Sequence, residues 1–126
     1  MTSTTRADAN KALVHRGFAE FAAGNHAVLD ELLHDDFIEH SPGNPSGKTE
    51  FIAHITSAPV ASATLELARV IADDEYVVVH YRMTPQDDDT EYAVADIWRI
   101  ADGKIIEHWD VVQDVPDAAA TPHGMF

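Results

Sequence analysis

"VADIWRIADGKIIEHWDVVQDVP", residues 94–116, decides how this chain is read. Two β-rich runs flank Ala101-Asp102-Gly103-Lys104, and an Asp-Gly pair between alternating apolar residues is a strong hairpin signal. Because strand side chains alternate, the second run sets Ile106, His108, Asp110 and Val112 on one face, against Ile105, Glu107, Trp109, Val111 and Gln113. The first sets Tyr92, Val94, Asp96, Trp98 and Ile100 against Glu91, Ala93, Ala95, Ile97 and Arg99. Neither strand has a cleanly polar side, whereas a half-exposed antiparallel sheet shows one apolar and one wet face. Both faces are therefore expected to be covered, one by helices and the other by a second subunit, with Trp109 as an anchor on the outer side.

Loop length decides which residues meet. A two-residue turn at Asp102 and Gly103 would pair Asp96 with Trp109 and separate Asp96 from His108. A three-residue loop with Gly103 as a left-handed bulge would pair Ile100 with Lys104, Trp98 with Ile106 and Asp96 with His108. The second register is preferred, because it joins apolar to apolar and polar to polar. It brings Asp96, His108 and Asp110 into one concavity, where burial and like charge spread pKa values apart and suit proton transfer.

Upstream of the hairpin, "ATLELARVIA" and "YVVVHYRM" supply two more short strands, and short turn-rich connections favour an antiparallel meander. Before Pro59 the periodicity is helical. Leu13, Val14, Phe18, Phe21 and Ala22 predict an amphipathic helix over residues 8–22 that Gly24 ends. Asn25 is the expected cap of a short second helix reaching Leu33, "DDFIEH" reads as extended, and Ser46 is the expected cap of a third helix over residues 48–57. Helices first and strands after make an α+β domain with the helices on one face of a curved sheet. The whole chain, 1–126, reads as one domain, with residues 117–126 as a tail.

Composition narrows the function. Eight Lys plus Arg against 22 Asp plus Glu give a formal charge of -14, which repels nucleic acid and anionic membranes. The absence of cysteine removes disulfides, thiolate metal sites and a Cys nucleophile. No apolar run approaches a membrane span and the N-terminal residues lack a secretory pattern, so a cytoplasmic location is the expectation. No phosphate loop, nucleophile elbow or dinucleotide fingerprint is present, which leaves chemistry without a cofactor. His40, His80 and His108 lack metal-ligand spacing, and no metal is expected.

The stretches "FIEHSPGNPSGKTEF", "VVVHYRM", "VADIWRIADGKIIEHWDVVQDVP" and "GMF" together resemble the SnoaL-like polyketide-cyclase group of the nuclear transport factor 2-like superfamily. The resemblance implies a cone: three N-terminal helices packed on a strongly curved, mostly antiparallel sheet around a deep pocket, assembled as a homodimer through the outer sheet face. It implies that Asp110 is a general acid/base beneath an apolar ligand, that Asp96 assists it, and that His40 and His80 line the pocket. Glu39 and Ser41 depart from the group's usual Gln and Asn. Trp98, Tyr81, Met83, Phe18 and Phe37 lie at apolar-face positions that serve as core or as ligand wall.

The expected function is cofactor-independent acid/base chemistry, an aldol cyclisation or isomerisation, on a small apolar carbonyl compound. Asp110 acts, His108 and Asp96 tune it, and His40 and His80 orient the substrate oxygen. Two alternatives stand beside it: a binding protein with the same pocket and no turnover, and an interaction module, which would need an exposed apolar surface. For Asp110 and His108 themselves the plainer reading is a hydrogen-bonded pair tying strands together.

Overall fold

In the computed structural model, which describes residues 5–126, three helices precede and interleave with the first strand: α1 (Arg6–Ala22), α2 (Val28–Leu32), β1 (Leu33–Glu39) and α3 (Lys48–Ile55). A 3-10 turn at Pro59–Ser62 leads into β2 (Thr64–Ala72), β3 (Tyr76–Thr84), β4 (Tyr92–Ala101) and β5 (Lys104–Asp114). The sheet order is β1-β5-β4-β3-β2, an antiparallel meander to which β1 adds in parallel beside β5. The helices cover one face of this curved sheet, burying Val14, Val28, Leu32 and Phe51 against Val77, Val79 and Val94. No helix among the described residues is long and apolar enough to cross a membrane.

Local chemistry explains the helix ends, with two corrections. Thr5 and Asp8 form a capping box that starts α1, and Gly24, at φ 91°, turns the chain out of it. Asn25 does not cap α2; its amide donates to Glu20 at 2.8 Å, and Ala27 stands at the cap without a side-chain bond. Ser46 does not cap α3 either. Its hydroxyl accepts the backbone N–H of Glu39 at 3.1 Å, so a tertiary partner has taken it, and Gly47 at φ 101° occupies the cap. Gly17 lets α1 approach α2 closely, since a Cβ there would stand 3.1 Å from Leu32 Cδ1.

The decisive hairpin also differs from the preferred register. Ala101 pairs with Lys104 and Ile100 with Ile105, so the turn has two residues, Asp102 (φ 56°) and Gly103 (φ 72°), both left-handed as a tight hairpin turn of this type requires. The extra residue sits in a β-bulge instead: past it, Arg99 pairs with Glu107, Trp98 with His108 and Asp96 with Asp110. Ile106 is the bulged residue. Consequently Ile105, not Ile106, shares the inner face with His108, and the bulge returns Asp96, His108 and Asp110 to one side by a different route.

Candidate active site

The inner face of the sheet and the three helices enclose a cavity of about 380 Å³. Phe18, Phe21, Leu29 and Ile55 reach it from the helices, and Tyr81, Met83, Val94 and Trp98 from the strands. Asp96 from β4 and His108 and Asp110 from β5 contribute polar groups to its wall, with Ser41 and Asn44 from the loop after β1; Asp88 and Tyr92, bonded to each other at 2.9 Å, line it as well. No lysine or arginine lines it.

His108 sits at the centre of a buried chain of hydrogen bonds. One ring nitrogen, Nε2, lies 2.9 Å from Asp96 Oδ1 and the other, Nδ1, lies 2.7 Å from Glu39 Oε1, with side-chain exposure of 5% or less on all three. Burial opposes a charge on the ring, but the bonds to Asp96 and then Glu39 prevail and push the His108 pKa up to about 9. Trp98 stacks on the imidazole at 3.9 Å between ring centroids, a geometry favourable to a cation. Burial alone would raise Glu39; the bond and charge of His108, then Asn44 and the Ser41 N–H, outweigh it and hold the carboxylate below its ordinary range.

Asp110 is different. Half-buried at the cavity wall, it has its pKa raised, first by burial; the Ser41 hydroxyl opposes this, the charge of Asp96 reinforces it and protonated His108 opposes it. Tyr81, on the cavity wall, is pushed well up by burial and then by Asp96, which keeps its hydroxyl neutral. The indole Nε1–H of Trp98 is buried with no hydrogen-bond partner among the described residues, in a side chain that lines the cavity.

Donor atoms of Asp96, His108 and Asp110 lie within 4.8 Å of one another. A cation there would need a neutral imidazole with Nε2 free, whereas the flanking carboxylates of Asp96 and Glu39 favour the imidazolium; the arrangement is better suited to a proton than to a metal.

Trp98, Tyr81, Met83 and Phe18 line the cavity as expected, but three of the other expected positions do not. Phe37 is buried core against Phe51, at 4.7 Å between centroids. His80 and His40 point to the outer face: His80 bonds the Arg69 guanidinium and stacks on Phe126, and His40 lies flat on Trp109 with its Nε2 2.6 Å from Glu107. Alternation explains both shifts, since Tyr81 and Glu39 turn inward and their chain neighbours must turn out. Phe126 also packs against Arg82 at 4.4 Å, so this end of the tail lies on the outer sheet face of its own chain. Asn44, Asp88 and Tyr92 are polar residues of the cavity wall that the sequence reading did not place in the site, and the buried partnership of Glu39 with His108 behind that wall was not foreseen either. Counting outward from apolar Phe37 by twos would have found Glu39.

Residues 14–108 match the sequence model of the SnoaL-like domain. The chain belongs to the SnoaL-like family. Its fold is that of the nuclear transport factor 2-like proteins. A candidate ketosteroid isomerase from Kribbella flavida superimposes on this SnoaL-like protein with TM-score 0.78 at 17% identity, covering 94% of this chain and 91% of that one. A candidate SnoaL-like polyketide cyclase from Jannaschia sp. CCS1 gives 0.74 at 18% identity, over 98% of this chain and 96% of that one. An epoxide hydrolase of the LEH-like kind from M. tuberculosis gives 0.72 at 15% identity, over 86% of each chain. No curated protein sequence is a significant match.

Proposed function

We propose that this SnoaL-like protein moves a proton on a small, largely apolar carbonyl compound, in an intramolecular aldol cyclisation or an isomerisation, without a cofactor. The observation that carries this reading is Asp110: a carboxyl of raised proton affinity at the wall of an apolar cavity, beside a histidine whose own nitrogens are both committed. Asp110 takes the proton from the carbon next to the carbonyl and returns it to the product. The electron pair of the broken C–H bond passes into the C–C bond to the carbonyl carbon, and the negative charge moves onto the carbonyl oxygen. Ser41 and Asn44, uncharged polar side chains of the cavity wall, supply the donors for that oxygen, the role first expected of His40 and His80. His108 and Asp96 set the charge around Asp110. The structural neighbours described as an isomerase and a cyclase add support of the same kind.

The test is deuterium exchange at the carbon next to the carbonyl of 2-tetralone, a bicyclic ketone. Asp110→Asn keeps the shape and removes the titrating group, so exchange should fall by about 10² to 10⁴ while binding is largely retained. Equal exchange in both proteins would remove Asp110 from the mechanism. The binding-protein alternative draws on the closed Glu39–His108–Asp96 network, which is complete without a ligand; ketones that raise the melting temperature yet never exchange would establish it.

We also propose a homodimer through the outer sheet face, where Ile71, Tyr76 and Val111 are exposed and Tyr76 packs 6.3 Å from Trp109. Light scattering should give twice the chain mass, and Trp109→Ala should weaken the dimer. A monomer at micromolar concentration would overturn it.

A further inference from the structure

Glu39 has no part in the scheme so far, yet its carboxylate is the most heavily bonded in the molecule's interior. Oε1 accepts His108 Nδ1 at 2.7 Å, the His40 N–H at 2.9 Å and the Ser41 N–H at 3.2 Å, while Oε2 accepts the Asn44 amide at 3.1 Å. Its own backbone N–H reaches Ser46 Oγ. One side chain with no solvent exposure thus ties the back of the imidazole to residues 40, 41 and 44 of the 40–46 loop, while the backbone of the same residue holds Ser46 at its far end, and that loop presents Ser41 and Asn44 to the cavity.

We propose that Glu39 is a positioning residue for the proton transfer: it holds His108 between two carboxylates and locks the loop that faces Asp110. The assignment builds on the acid/base role of Asp110. Its consequence is electrostatic. A ring held by Asp96 alone would have one counter-charge and a free Nδ1; held by both acids it stays an imidazolium, neutralises Asp96, and leaves Asp110 as the group whose protonation varies. The ionisable groups facing His108 are Glu39 from β1, Asp96 from β4, Asp110 from its own strand and, through Asp96, Tyr81 from β3. The other packed neighbours are the rings of Trp98 and Phe51, the latter from α3. No cation of the cavity wall competes.

Glu39→Gln removes the charge and keeps most of the scaffolding: the amide oxygen can still accept His40 N–H, Ser41 N–H and His108 Nδ1–H, and the new NH2 donates to Asn44 once that amide turns its oxygen inward. Titrating the His108 ring by NMR tests the charge role without any turnover. The wild-type midpoint should lie at about 9, and Glu39→Gln should lower it by about one pH unit or more. The alkaline limb of 2-tetralone exchange should move with it, the half-saturating ketone concentration changing by less than about threefold. Glu107→Gln, the same change on the outer face, should move neither. An unchanged His108 midpoint and pH profile in Glu39→Gln would overturn the assignment. If that variant does not fold, the wild-type ring decides: both nitrogens protonated at pH 7.5 supports the assignment, and a neutral ring there overturns it. A wild type that never exchanges the ketone defeats the carbonyl reading alone, since the ring titration still judges Glu39.

Discussion

Two Glu–His pairs join β1 to β5, one on each face of the sheet, and both come from the tripeptide Ile-Glu-His, written at residues 38–40 and again at 106–108. The parallel register sets Glu39 beside His108, so those two side chains meet on the inner face and His40 meets Glu107 on the outer. The contact distances are nearly equal, 2.7 Å inside and 2.6 Å outside. Surroundings separate them. Inside, exposure is 4% for His108 and 0% for Glu39, and the pair is surrounded by further acids, aromatic rings and the neutral donors of the 40–44 segment; outside, His40 is 40% exposed and Glu107 also bonds Arg99 at 2.7 Å. Water screens the outer pair and lets each member find other partners, whereas the inner charges have only one another. The same chemistry therefore becomes a fixed charge within the fold on one face and a surface contact on the other.

Removing each histidine should break the comparison open. His108→Leu leaves Glu39 and Asp96 buried with no cation between them and should cost about 3–5 kcal/mol in urea unfolding. A loss below about 1 kcal/mol would mean that the interior pair is no different from a surface one.

The pH dependence sharpens the contrast. His108 rises from 6.5 to about 9 on folding, so its contribution is complete below about pH 6.5 and disappears as pH climbs through about 9, roughly 3 kcal/mol across that window. Melting temperature should fall over the same range, and the fall should vanish in His108→Leu. Glu39 has the opposite sign: its lowered pKa stabilises above about 4.5 and the gain is lost in acid. The smallest effect belongs to the outer face, where His40→Leu should change stability by no more than about 1 kcal/mol, through the lost hydrogen bond to Glu107 and the lost stack on Trp109.

By itself the sequence determined the class of fold, the strand segments and the shared face of His108 and Asp110; Asp96 joins that face only through the bulge. Alternation and turn chemistry are local, and an Asp-Gly turn between β-branched runs has few other outcomes. Strand parity also held information that family resemblance obscured: His80 adjoins inward Tyr81, and adjacent strand residues cannot line the same wall. The tertiary structure decided the rest. A bulge at Ile106, not a longer loop, set the register, because an extra residue can be absorbed wherever the core tolerates a kink. Ser46 was drawn away from its helix by the Glu39 N–H. The partnership of Glu39 with His108 spans 69 residues and depends on β1 joining the sheet in parallel at β5, a choice made by packing over long range that no window of sequence expresses.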